Sequence, residues 1–409
     1  MKRVVVTGIG ALSPLGHDWP TVRERLRAER NVVRYMDGWD VYEGLNTRLG
    51  AVVEPFELPA HYNRKTTRSM GRVALMATRA SEIALENAGL LGHELVSSGQ
   101  MGVSYGSSAG SPSAIGDFGL MMTRRTTEGI NANSYIKMMS HTAAVNIGVF
   151  LGLTGRIITT SSACTAGSQG IGYAYEAVAS GRQVAMLAGG SEELEAMDAA
   201  VFDTLFATSV SNHAPQGSPR PFDANRDGLV LGEGACTFVL EELEHAQARG
   251  ARIIAEIIGF GTNSDGTHVT QPSARTMARA MRMALDDAQL QPEAIGYINA
   301  HGTATEHGDV AETQATFDVF GGHTPISSLK SYMGHTLGAC GALEAWMTLE
   351  MMKEGWFAPT VNLRDVDPRC GALDYIRTGG RDIQTDIVMS NNFAFGGINT
   401  SLIFRRWAD

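Results

Sequence analysis

The stretch SSACTAGSQGIGYAYEAVASG (161–181) holds the most telling side chain of the sequence, Cys164. Just before it, Ile157-Ile158-Thr159-Thr160 is a β-branched run that predicts a short buried strand stopping at Ser161-Ser162. Beyond Cys164 the small residues continue as a helical pattern to Gly181, the expected cap. The thiol is thus expected at a tight strand-to-helix junction, near a helix N-terminus. Free backbone N–H groups and the helix dipole favour the thiolate there, and the thiolate is the reactive form. A buried structural cysteine is the commoner fate of such a residue. Two histidine motifs downstream need a nucleophile as partner and favour the reactive role.

Outward from this stretch, strand patterns fall at 3–7, 101–105, 156–160, 184–190 and 236–241, and again at 252–260, 295–300, 325–329, 386–391 and 401–405. Helical patterns lie between them at 67–88, 134–151, 166–180, 274–288, 309–320 and 338–353. This alternation predicts an α/β fold with largely parallel pairing. The two sets match in number and order, which predicts a duplicated unit with halves 1–250 and 251–409. Irregular stretches at 106–133 and 206–235 are too long for simple connections and are expected to serve a site or an interface. Within the second, SPRPFDANRDGLVLGEGA (218–235) reads chiefly as a rigid, hydrogen-bonded turn.

With 409 residues the chain can build a large core, and its 47 glycines imply many tight turns. A net charge of −10 and the lack of a long basic run argue against nucleic acid as a partner. Cys164, Cys236, Cys340 and Cys370 are widely spread, as reduced thiols of a cytosolic protein would be. The start, MKRVVVTGIGALSPLG, reads as a first strand rather than a signal peptide, and no segment has the length of a membrane span. The expectation is a soluble, cytoplasmic protein.

INAHGTATEHGD (298–309) sets His301 just after a short apolar strand. SLKSYMGHTLGACGALEAW (328–346) repeats the theme, with Lys330 five residues before His335 and a Gly/Ala-rich helix after it. A lone histidine in such a place is usually a structural hydrogen-bonder. Two of them, each in a loop at a strand end where α/β folds gather catalytic groups, form a Cys-His-His set with Cys164. The thiolate would attack an acyl group while the imidazoles polarise a carbonyl oxygen. NNFAFGGIN (391–399) adds a loop whose paired glycines let a backbone N–H approach a developing oxyanion.

Three other motifs compete. GSSAG (106–110) fits the G-x-S-x-G elbow, with Ser108 as its serine and Ser107 beside it, and would make a hydrolase. That reading leaves Cys164 and one histidine unexplained. VVVTGIGALSPLG (4–16) half-matches a dinucleotide fingerprint, but Ser13 replaces the third glycine and Pro14 follows, so NAD binding is rejected. His301, His307 and Asp309 are metal-ligand types without the spacing of a zinc helix.

Together these loops resemble the β-ketoacyl-[acyl-carrier-protein] synthases of the thiolase superfamily, most closely the elongating synthase I/II group. The likeness runs from VVVTGIGALSPLG to NNFAFGGINTSLIF. It implies a thiolase-like, duplicated five-layer α-β-α-β-α sandwich, normally dimeric. By resemblance Cys164 is the acyl-accepting nucleophile, and His301 and His335 stabilise the enolate left when a malonyl thioester loses CO2. Lys330 would balance the charge of the site, and Phe395 would gate it and complete the oxyanion hole with the Cys164 N–H. Thr270, Thr303 and Thr305 would line the phosphopantetheine tunnel, and Gly396 would be a further substrate-binding residue. Asn299, Glu344, Asn391 and Asn392 match positions where some relatives hold a structural monovalent cation. No redox cofactor is implied, because the substrates ride on the phosphopantetheine of an acyl carrier protein. Such carriers are acidic, so docking calls for a local basic patch, for which Arg64, Lys65, Arg68, Arg72, Arg124 and Arg125 are the candidates. The thiolase alternative, acting on CoA esters, would need a second catalytic cysteine, and Cys340 lacks the thiolase setting.

The sequence departs from the family at two places. Glu306 and His307 stand where a proline and an apolar residue are usual, and Ala109 stands at an acyl-pocket position that is bulky in synthase II. These changes lean toward a type II polyene or polyketide pathway over housekeeping fatty-acid elongation. The partner in the dimer would then be a second copy or a chain-length-factor-like homologue, and Cys164 excludes this chain from being the inactive member.

Overall fold

The computed structural model describes residues 1–408. Its first half supplies β1 (Val4–Leu12), β2 (Met101–Gly106), β3 (Ile157–Thr159), β4 (Ala185–Glu192) and β5 (Gly234–Glu242), ordered β1-β5-β4-β2-β3. The second half supplies β6 (Ala255–Ser264), β7 (Tyr297–Asn299), β8 (Pro325–Ser327), β9 (Asp374–Tyr375), β10 (Ile387–Ala394) and β11 (Ile398–Arg406). These lie in the order β6-β11-β10-β7-β8-β9. With the added edge strand β9 set aside, both halves read first-fifth-fourth-second-third. In both, the first three neighbours pair antiparallel and the last three parallel. The two meet antiparallel where Val4, Val5 and Val6 face Ile257, Glu256 and Ala255.

Helices complete five layers. α1 (Arg72–Ala88) packs outside the first half, and α7 (Ala274–Ala288) outside the second. α7 is amphipathic: Met277, Met281, Ala284 and Leu285 recur at helical spacing and are buried. Burying a side chain such as Leu285 stabilises by about 1.5–3 kcal/mol. Between the half-sheets lie α5 (Ala166–Ala179) and α9 (Cys340–Glu354), nearly all of whose residues are buried. A helix enclosed all round must be thin, which explains the small residues after Cys164. A Cβ on Gly167 would stand 2.8 Å from the Gly338 carbonyl oxygen, and one on Gly172 would stand 2.3 Å from the Phe260 ring.

The structure corrects several expectations. β3 is not buried: it is the outer edge strand of the first half, with Ile157 45% exposed. The stretch 106–133 is not irregular, because Pro112 opens a helix, α2 (Pro112–Arg124). Its Gly116 and Gly119 and its exposed apolar residues hide the usual amphipathic period. The helical pattern at 67–88 is broken before Gly71, the N-cap residue of α1, leaving a separate turn at Arg64–Thr67. The pattern at 134–151 divides into α3 (Ala132–Met138) and α4 (Thr142–Leu151). The segment 218–235 is the expected rigid turn: the Asp223 carboxylate accepts the N–H groups of Arg364 and Asp365, and Arg226 pairs with Asp367 at 2.6 Å.

Candidate active site

Cys164 sits in a 3-10 turn, Ala163–Thr165, between β3 and α5. Ala163 is held at φ +50°, a region costly for a residue with a Cβ, so the backbone bends sharply to present the thiol. The Thr165 hydroxyl donates to the Ser162 carbonyl and the Thr160 hydroxyl to that of Ala166, both at 2.8 Å, fixing the turn from either side. The thiol is 4% exposed, and burial pushes its pKa up to about 12. The charge of Lys330 and the N–H groups of Phe395 and of Cys164 itself pull the other way. The expected resting thiolate is therefore corrected: desolvation outweighs the helix terminus, and the resting group is a thiol.

His301 follows β7, and its backbone N–H and that of Gly302 donate to the two oxygens of Glu312 at 2.7 Å each. His335 follows a short helical turn, Lys330–Met333, and its N–H donates to the Val230 carbonyl at 2.7 Å. The two rings stand edge to face, with centroids 5.0 Å apart. The nearest ligand-type atoms of Cys164, His301 and His335 all lie within 4.8 Å of one another. These atoms could hold a metal by type, but the tautomers oppose it. Nδ1 of His335 accepts the Leu337 N–H at 3.2 Å. Nδ1 of His301 faces the Lys330 ammonium at 3.2 Å and the Asn392 amide at 3.4 Å. Each ring proton is therefore on Nε2, which makes both imidazoles hydrogen-bond donors rather than ligands. Burial, and for both rings the Lys330 charge, lower their pKa well below the usual value, so they are neutral.

Lys330 is fully buried, and its ammonium meets Glu344 on α9 at 2.5 Å. The other Glu344 oxygen accepts from Asn392 at 2.9 Å and from Asn299 at 3.5 Å. The side-chain oxygens of Asn299, Asn391 and Asn392 have no hydrogen-bond partner. The orphaned oxygens of Asn299 and Asn392, on side chains that bond Glu344, suit a hard cation beside that carboxylate.

A cavity of about 540 Å³ opens over the thiol and both imidazoles. Phe395 lines it and packs on Phe202 of α6 (Ala196–Asp203) with ring centroids 5.0 Å apart. Thr270, Thr303 and Thr305 line it farther out, as do Glu306 and His307. Ala109 and Gly396 are not among its lining residues. Arg64, Lys65, Arg68, Arg124 and Arg125 are exposed. Arg72 is not a free docking cation, since it forks onto the buried Glu233 at 2.9 and 2.6 Å. The hydrolase elbow is also unequipped: the Ser107 hydroxyl donates to the carbonyls of Ala109 and Ser140, and among the described residues neither Ser107 nor Ser108 bonds a histidine. Cys340 donates its thiol to the Cys164 carbonyl at 3.3 Å, a supporting contact behind the turn. Sequence reading missed Glu312 and Phe202. Glu312, eleven residues past His301 on α8 (Glu306–Phe320), looks like any helical acid until the fold turns it back.

Residues 1–246 match the family model for the β-ketoacyl synthase N-terminal domain, and 254–364 that for the C-terminal domain. The chain belongs to the β-ketoacyl synthase family. It is 36% identical to 3-oxoacyl-[acyl-carrier-protein] synthase 2 of Synechocystis sp., over 99% of this chain and 98% of that one. A crystal structure of a β-ketoacyl synthase from Burkholderia phymatum superposes with TM-score 0.98 at 61% identity, covering all of both chains. The ishigamide ketosynthase/chain length factor superposes with TM-score 0.90 at 32% identity, also over both full chains. The fold is accordingly the duplicated thiolase-like sandwich. The chemistry of the β-ketoacyl synthase is acyl transfer with formation of a carbon–carbon bond, using carrier-bound acyl groups and no free cofactor. Among the described residues no helix is long and apolar enough to cross a membrane.

Proposed function

We propose that Cys164 takes an acyl chain from the carrier's thioester, the thiol proton leaving with the carrier sulfur, and that His301 and His335 then serve the malonyl thioester. Its carboxylate departs as CO2 and leaves an enolate oxygen facing two Nε2–H donors. The enolate carbon attacks the acyl carbonyl, a C–C bond forms, and the Cys164 thiolate leaves. The Phe395 and Cys164 N–H groups would hold the oxyanion of each tetrahedral intermediate. The observation that carries this reading is the pair of tautomers: both imidazoles have their Nδ1 occupied and so aim an N–H into the cavity beside the thiol. Lys330 would fix His301, while Thr270, Thr303 and Thr305 on the cavity wall would guide the phosphopantetheine arm. Asn299, Glu344, Asn391 and Asn392 would hold a monovalent cation with a structural role only.

Two variants test the division of labour. Cys164→Ala should abolish condensation of acyl- and malonyl-carrier protein, and retained product would refute the nucleophile. Cys164→Gln should still release CO2 from malonyl-carrier protein, and its failure in a folded variant would refute the role given to the histidines.

We further propose halves at 1–250 and 251–409, a cytoplasmic location, and carrier docking on Arg64, Lys65, Arg68, Arg124 and Arg125. A dimer is supported by the open edge of β3 and by the exposed Leu120, Met122, Tyr135 and Val149 on the adjoining helices. The second subunit would be a copy or a chain-length-factor-like homologue, and light scattering of the purified chain separates these. For the acyl class we favour polyene or polyketide chains, supported by Glu306 and His307 on the cavity wall. Mass spectrometry of the chains that load Cys164 tests this.

A further inference from the structure

Glu192, the last residue of β4, is 1% exposed, and none of the ion pairs among the described residues includes it. Its Oε2 accepts the Gly338 N–H at 2.9 Å and the Ser108 N–H at 2.8 Å. Burial raises the Glu192 pKa to about 8, so near neutral pH it is largely a neutral carboxyl, and one oxygen holding two backbone N–H groups calls for an explanation beyond packing. Gly338 belongs to the 3-10 turn Leu337–Ala339. The neighbouring Leu337 is the residue whose N–H holds Nδ1 of His335. Leu337 sits at φ +44°, a strained conformation for a bulky side chain that needs an external hold. The fit around Gly338 is close: a Cβ there would stand 2.8 Å from the Glu192 oxygen and 2.8 Å from the Ser107 Cα.

The duplication shows what kind of position this is. The β2–β4 ladder ends at Gly106↔Gly190, and its counterpart, β7–β10, ends at Asn299↔Ser390. Two residues beyond each ladder stand Ser108 with Glu192 in the first half, and His301 with Asn392 in the second. Glu192 is therefore the structural counterpart of Asn392, which bonds Nδ1 of His301.

We infer that Glu192 is a positioning residue for His335: by clamping the Gly338 N–H it holds the Leu337 N–H against Nδ1 and keeps the Nε2–H aimed into the cavity. The inference rests on the role of His335 in malonyl decarboxylation proposed above. Acyl loading of Cys164 uses the Phe395 and Cys164 N–H groups and does not call on His335, so the two half-reactions should separate. The assay follows CO2 release from malonyl-carrier protein in the Cys164→Gln background, and acyl loading by mass in the Cys164 background. Glu192→Ala should cut CO2 release about tenfold or more, with loading within about twofold of the parent. Glu192→Gln, whose amide oxygen can accept both N–H groups, should restore release to within about threefold. Glu192→Asp, one methylene short, keeps the carboxyl and should behave like Glu192→Ala, which covers the case that the alanine variant does not fold.

Unchanged CO2 release in Glu192→Ala or Glu192→Asp would overturn the inference, as would equal loss of both half-reactions with no rescue by Glu192→Gln. His335→Ala separates the two levels. If it too leaves CO2 release intact, the reading of His335 fails. If it abolishes release while the Glu192 variants do not, only the clamp fails.

Discussion

Replacing Lys330 by methionine should destabilise the protein because of what it leaves behind. The ammonium is fully buried and stands 2.5 Å from Glu344, which is itself 0% exposed. Removing one member of a buried ion pair costs about 3–5 kcal/mol, while replacing both by well-packed neutral groups is close to neutral. An unfolding entropy of roughly 2.1 cal/mol/K per residue amounts to about 0.9 kcal/mol/K for a chain of this length unfolding as one unit. Lys330→Met should then lower Tm by about 3–6 °C, and Lys330→Met with Glu344→Gln should recover most of that. The loss also has a pH signature. Burial raises the Glu344 pKa, and Lys330 is the first group that lowers it. Without Lys330 the folded-state pKa rises further above the unfolded value. The folded carboxyl then binds its proton more tightly, so the variant is least impaired in acid and loses stability as pH rises above the ordinary carboxylate range. Thermal unfolding followed by circular dichroism at pH 5.5 and 8 reads both effects. A double variant as unstable as the single one, or a deficit that shrinks as pH rises, would refute the uncompensated-charge argument. Condensation should stay low in both variants, because neither restores the donor to Nδ1 of His301.

Three further outcomes follow from the same geometry. Alkylation of Cys164 by iodoacetamide should speed up about tenfold per pH unit from pH 7 to 9, since the buried thiol titrates near 12; a plateau in that range would show a thiolate already formed. Malonyl decarboxylation by Cys164→Gln should be flat from pH 8 down to 6, because burial and Lys330 keep both imidazoles neutral, and an acid limb near 6.5 would contradict this. Lys65→Glu with Arg68→Glu should weaken the use of carrier-bound substrates while sparing free thioesters. Arg72→Glu should instead lower Tm, as it breaks the fork onto Glu233; equal loss on both substrate types in the first variant would remove that patch from docking.

The candidate site was legible because its parts are local. Cys164, His301, His335 and Lys330 each follow a short apolar run, and loops at strand ends are where such folds keep their chemistry. What the sequence hid was mostly long-range. Whether β3 is buried depends on whether another strand pairs beyond it, and among the described residues none does. Arg72 looked like one of a basic cluster until Glu233, 161 residues away, claimed it. The state of the Cys164 thiol was misread for a similar reason: a helix terminus can be read from sequence, but the depth of burial that outweighs it cannot. Glu312 and Glu192 lie in stretches whose acids are indistinguishable from surface charge by type or spacing.

The two halves also explain why a duplicated fold carries one Cys-His-His cluster. The turns Ala163–Thr165 and Leu337–Ala339 each follow the third strand of their half, each opens on a residue at positive φ, and each leads into a helix of the middle layer. Cys164 and Gly338 are therefore counterparts, as are His301 and Ser108. Fourth strands cross over: β4 brings Glu192 to the Leu337 turn of the second half, and β10 leads into the Phe395 loop, whose N–H meets Cys164 of the first. Each turn is thus braced by the opposite half as well as by its own. On one side the counterparts became thiol, imidazole and amide; on the other they are glycine, serine and a carboxyl that accepts the Gly338 and Ser108 N–H groups. On the inference drawn for Glu192 the second side is not idle, because its carboxyl fixes the loop from which the other side takes His335.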